Sequence, residues 1–297
     1  MGRYRQQAER VLRWTFVALL LLILLPNGSV EYQPFHLLAT GFFAVAALAS
    51  LICPTPPPVR VPAAIAISVA AALALWMIIQ ALGFSGNPFA NPIWNETETI
   101  LGPMSQSISV APGDTVQGLV AALLPFAVFI AALLLFGDER QCLWLMKAVV
   151  ICGAILAVIG LVQFELFPDS LLLDRKNFYL QSLTVVFVNA NTAATYLAML
   201  LVFSVGLAFH AIQNAGFRQL LRWLIGAPSS TRGTDARAGL LYSLLAALFF
   251  VSLLLTKSRA GVGSGIAGVI LLGVILAYHG SQHLMQRSVS GFGRRRT

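Results

Sequence analysis

The sequence predicts an all-α fold, a polytopic transmembrane helix bundle of about eight spans with both termini cytoplasmic. Three observations predict it. Hydrophobic residues make up 58% of the 297 positions and charged residues only 10%, with a mean hydropathy of +0.82, whereas soluble domains carry roughly 25% charge. Apolar stretches long enough to cross ~30 Å of hydrocarbon recur along the whole chain. With the N-terminus inside, fifteen of the nineteen Lys and Arg residues fall in alternate, inward segments, the asymmetry that orients membrane proteins.

The spans follow in order at 11–25, 35–52, 63–82, 119–136, 143–162, 193–212, 240–255 and 262–278. The first follows Arg3, Arg5 and Arg10, and no small-residue cleavage site appears before Pro26, so it reads as an uncleaved helix rather than a signal peptide. Pro56, Pro57 and Pro58 form a stiff connector before the third span. Pro125 is expected to kink the fourth. Between spans, residues 83–117 form an outer loop that lacks Lys and Arg and carries Glu96, Glu98 and Asp114, the composition of an ordinary translocated loop. Residues 164–192 form an outer basic loop. Residues 213–238 form a cytoplasmic basic loop whose mixed Leu, Trp and Arg spacing fits a helix on the headgroups. Residues 279–297 form a cytoplasmic tail. The chain reads as a single integral membrane domain, 1–297.

The net charge of +8 needs no nucleic acid, because cytoplasmic anchors and anionic headgroups account for it. Cys53 and Cys142 fall at cytoplasmic helix ends and Cys152 inside a span, so no disulfide is expected. His36, His210, His279 and His283 lack metal-ligand spacing. No metal or cofactor is expected. Gly261, Gly263, Gly265 and Gly268 resemble a dinucleotide fingerprint only superficially; no strand precedes them, and their small-residue spacing suits close helix packing.

Four cations defy the inward bias: Arg175 and Lys176 after the fifth span, and Lys257 and Arg259 in the tight turn after the seventh. Charge at a membrane boundary is costly and is usually retained for a task. One reading is that these residues anchor to outer phosphates or pair with Asp169 and Asp174. The other is that two outer turns converge on a phosphorylated ligand, for which Arg is suited by its planar, bidentate fork. Asn189 and Asn191 stand at the outer end of the sixth span. One Asn there caps the helix; the second is available to another helix or to a polar ligand.

These two clusters carry a family resemblance. Phe187-Val188-Asn189-Ala190-Asn191, followed by Ala194, Tyr196 and Leu197, and then Leu255-Thr256-Lys257-Ser258-Arg259-Ala260-Gly261, resemble the paired signatures of the O-antigen ligase and O-antigen polymerase superfamily over roughly residues 143–277. The resemblance implies a bacterial inner-membrane glycosyltransferase, metal-independent and without a cofactor. Such enzymes take glycan from undecaprenyl diphosphate on the periplasmic side and pass it to lipid A core or to a second carrier-linked glycan. It further implies that Arg259 and Arg175 bind the carrier diphosphate, that Lys257 and Lys176 add positive potential, and that Asn189 and Asn191 shape the site. Family members carry further helices and a large periplasmic loop with catalytic residues after the Ser-Arg helix, whereas this sequence ends at Thr297. The expectation is therefore a truncated member or a donor-binding half, with no catalytic base assigned. The alternatives are a lipid-linked saccharide transporter and a non-catalytic partner in envelope assembly.

Overall fold

The structure, a computed structural model, describes residues 2–25, 27–28, 32–172, 174–215 and 233–293. Its elements are α1 (Gly2–Leu22), α2 (Tyr32–Ile52), α3 (Pro57–Ala81), α4 (Ile93–Leu101), α5 (Pro112–Leu135), α6 (Glu139–Leu166), a two-residue hairpin of β1 (Ser170–Leu171) and β2 (Asp174–Arg175), α7 (Ala190–Ala215), α8 (Gly233–Leu255) and α9 (Arg259–Gly293). Among the described residues seven helices are long and apolar enough to cross a membrane: α2, α3, α5, α6, α7, α8 and α9 as far as Tyr278. The protein is a helical, multi-pass membrane protein. α1 differs because Arg3, Arg5, Glu9, Arg10 and Arg13 charge its first half, leaving only its C-terminal part apolar.

Element boundaries depart from the sequence reading in instructive places. α5 begins at Pro112, where proline suits the first helical turn, so the segment between α3 and α5 is shorter than 83–117 and contains α4. The chain continues unbroken through Pro125 to Leu135. The helix assigned to residues 262–278 runs on to Gly293, since nothing in the intervening sequence breaks it. Most of the basic loop at 213–238, including Arg218, Arg222 and Arg232, lies outside the described residues, as do Arg294, Arg295 and Arg296 of the tail.

The chain divides into two compact units, Met1–Ile23 with Glu31–Cys142, and Leu24–Val30 with Leu143–Thr297. In the first, α5 packs on both α2 and α3. Phe16 sits edge-on to Phe42 at 5.7 Å and tilted on Phe136 at 5.5 Å. Arg13 Nε donates to the Leu135 carbonyl at 2.8 Å, which satisfies an orphan carbonyl and sets a cation against the negative end of α5.

In the second unit α7 is the central helix, packed on α8 and α9. Leu197, Leu200, Phe249 and Leu253 are almost completely buried there. The glycines of α9 set its approach to α7. A Cβ on Gly261 would collide with Ala194, one on Gly265 would lie 3.3 Å from Ala198 Cβ, and one on Gly268 would lie 2.9 Å from Val202 Cγ2. Residue numbers rise together along both helices, so α7 and α9 run parallel and their N-termini lie side by side. The small-residue stripe is thus a packing seam, as its spacing implied.

Candidate functional site

The end of the second unit where α7 and α9 begin brings the two sequence clusters together. The turn between α8 and α9 is built by its own side chains. Thr256 is buried and its hydroxyl donates to the Leu253 carbonyl at 2.7 Å; the same oxygen accepts the Ser258 N–H at 3.2 Å. Lys257 then adopts a left-handed conformation, φ +58°, which ends α8 but is unfavourable for any residue with a Cβ. Ser258 caps α9, its Oγ accepting the Gly261 N–H at 3.1 Å. This arrangement leaves Lys257 and Arg259 exposed on either side of a buried serine.

Asn189 does the same for α7. Its Oδ1 accepts the Asn191 N–H at 2.8 Å, the bond expected of an N-cap. Asn191 lies exposed on the first turn. Two capped helix N-termini therefore present their partial positive ends at one place, beside two exposed cations.

The basic loop is tied to this turn through its backbone. Leu183 N–H donates to the Leu255 carbonyl at 2.9 Å, one residue before Thr256. Lys176 is 7% exposed, and its Nζ donates to the Ser182 carbonyl at 2.7 Å, so it holds the residue next to Leu183. Burial pushes the Lys176 ammonium below its ordinary range. Its backbone N–H donates to the Asp169 carbonyl at 2.7 Å. Arg175, by contrast, is exposed on β2. Asn27, Leu171, Arg175, Lys176, Asn177, Phe178 and Val188 line a cavity of about 410 Å³. The base of the loop rests on α6, where Gly160 leaves room for the backbone of Val185.

Among the carboxylates whose side chains are described, which do not include that of Asp174, none lies within salt-bridge distance of Arg175, Lys176, Lys257 or Arg259, and among the described residues no group of three His, Cys, Asp or Glu could hold a metal. Structural support missed by the sequence reading comes from Thr256, Ser182, Val185 and Gly160. Only the Ser258 cap had a local signal, a serine opening a helix. Comparison with protein-family models, with curated proteins and with solved structures finds no match.

Proposed function

We propose that the protein is a membrane glycosyltransferase of the O-antigen ligase or polymerase type, located in the bacterial inner membrane with both termini cytoplasmic. It would draw glycan from undecaprenyl diphosphate on the periplasmic face and deliver it to lipid A core or to a second carrier-linked glycan. The observation that carries this reading is the Leu183–Leu255 hydrogen bond, which ties the loop after Arg175 and Lys176 to the turn bearing Lys257 and Arg259, a turn that opens α9 beside the capped N-terminus of α7.

The chemistry assigned to these residues is donor binding and leaving-group stabilisation. As the bond between sugar C1 and the diphosphate oxygen breaks, negative charge grows on the diphosphate. Guanidinium donors and helix ends that meet the diphosphate would stabilise that growing charge more than they stabilise the ground state. Arg259 and Arg175 take the phosphate oxygens, Lys257 adds potential, and Asn191 is placed to meet a polar group of the donor. Lys176 has a different part in this reading. Buried and bonded to Ser182, it orders the loop that presents Arg175. Deprotonation of the acceptor hydroxyl is a separate task.

Arg259→Ala and Arg259→Lys test the reading. Both are expected to abolish surface polysaccharide at unchanged protein level, because lysine keeps the charge and loses the bidentate fork. Normal polysaccharide in both variants would overturn it.

A further inference from the structure

The segment joining α3 to α5 buries several polar side chains while exposing its largest apolar ones. Asn87, Gln106 and Ser107 are buried, and their polar groups are satisfied internally. Asn87 Nδ2 donates to the Gln106 carbonyl at 3.2 Å, Gln106 Nε2 donates to Glu98 Oε2 at 2.7 Å and Asn95 Oδ1 at 3.3 Å, and the Ser107 hydroxyl donates to the Ser109 carbonyl at 2.7 Å. A backbone bridge joins Phe84 to Gln106, and Trp94 Nε1 donates to the Ser109 carbonyl at 3.2 Å. This is an ordered unit, not a slack connection.

Its large apolar side chains point the other way. Phe89, Ile100 and Leu101 are 76%, 80% and 71% exposed. On α4, Ile93 and Ile100, seven apart, share one face, with exposed Glu96 one turn before Ile100, while Trp94 and Glu98, four apart, share the face bonded to the rest of the loop; Leu101 is exposed where the helix ends. In water this arrangement would forfeit apolar burial and gain nothing in return. The segment is joined at both ends to helices that also expose apolar side chains, Ile78, Ile79 and Leu82 at the end of α3 and Val116 at the start of α5, and that are long and apolar enough to cross a bilayer. The segment contains no Lys or Arg, so apolar contact rather than headgroup charge must hold whatever covers it.

We propose that residues 84–110 form an interfacial cap seated in the bilayer, with α4 at the boundary of headgroups and acyl chains and Phe89, Ile100 and Leu101 inserted among the chains. The occupant of this face is lipid. The cap stands on a different part of the chain from the donor site and does not depend on that assignment.

Single cysteines at 89, 100 and 101 test it, in full-length protein with Cys53, Cys142 and Cys152 changed to alanine. They are labelled with an environment-sensitive dye and reconstituted in vesicles of equal parts phosphatidylethanolamine and phosphatidylglycerol. Emission shifted to the blue, strong quenching by added dibrominated phosphatidylcholine and protection from aqueous iodide are expected at all three sites. Iodide quenching without any effect of brominated lipid would show a solvated loop and overturn the proposal. A photo-crosslinking amino acid at 100 in the otherwise native chain gives a second readout that does not need the cysteine-free background. Lipid adducts are expected; adducts to another protein or to a second copy of this chain would assign the face to that partner and overturn the proposal.

Discussion

Gly160→Ala tests whether the basic loop is held in place by α6. A Cβ on Gly160 would lie 2.8 Å from Val185 Cα, 3.3 Å from its Cβ and 3.4 Å from its Cγ1. The nearest atom is thus about 0.7 Å inside the ~3.5 Å at which carbon atoms reach favourable contact. That atom is backbone, and Val185 is already in a left-handed conformation at φ +53°, so no rotamer change relieves the clash. Overpacking of this kind costs about 1–3 kcal/mol, against a gain of about 1 kcal/mol from replacing a mid-helix glycine by alanine. Gly273→Ala in α9 isolates the gain, because its Cβ would meet nothing within 4 Å. Reversible unfolding in mixed micelles should find Gly160→Ala less stable than Gly273→Ala by about 1–3 kcal/mol, roughly a 5- to 150-fold change in the folding equilibrium. Equal stability of the two variants would refute the contact and, with it, the claim that α6 positions the loop carrying Arg175.

Two further predictions concern the lysines. Lys257→Gly relieves the left-handed strain at φ +58° and should be more stable than Lys257→Ala by about 1 kcal/mol in the same micelle assay; if the two are equal, the turn is not strained there. Burial lowers the Lys176 pKa below its ordinary 10.5, so between the folded and unfolded values the unfolded chain binds more protons and stability rises with pH. Unfolding measured over that window, up to about pH 10.4, should show this rise in the native chain and a smaller one in Lys176→Met; identical slopes would remove Lys176 from the account.

Much of the candidate site was legible because its signals are local. Asn189 and Ser258 cap helices through bonds to residues two and three positions on, and such short-range geometry is written in residue order. Gly261, Gly265 and Gly268 announced a packing seam through their spacing, although not that Ala194, Ala198 and Val202 would face them. The expectation that Lys176 would serve as one more surface charge had no local counter-signal. Its partner, the Ser182 carbonyl, is a backbone group that every residue has, so no side-chain pattern could mark it. The segment before α5 misled for a related reason. Its acids and missing cations suggest an ordinary translocated loop, but composition does not say which side chains turn inward.

By itself the sequence determined that this is a membrane protein of many helices, since 58% hydrophobic residues in recurrent long runs have no other low-energy home. It also marked a capping Asn at the start of α7, because caps act within one turn. Tertiary structure alone decided that the beginnings of α7 and α9 lie side by side, that Leu183 meets Leu255, that Lys176 is withdrawn from water, and that Phe89, Ile100 and Leu101 face outward while Asn87 and Gln106 are enclosed. Periodicity reports which face of one element is apolar. Which element meets that face depends on contacts between residues far apart in the chain.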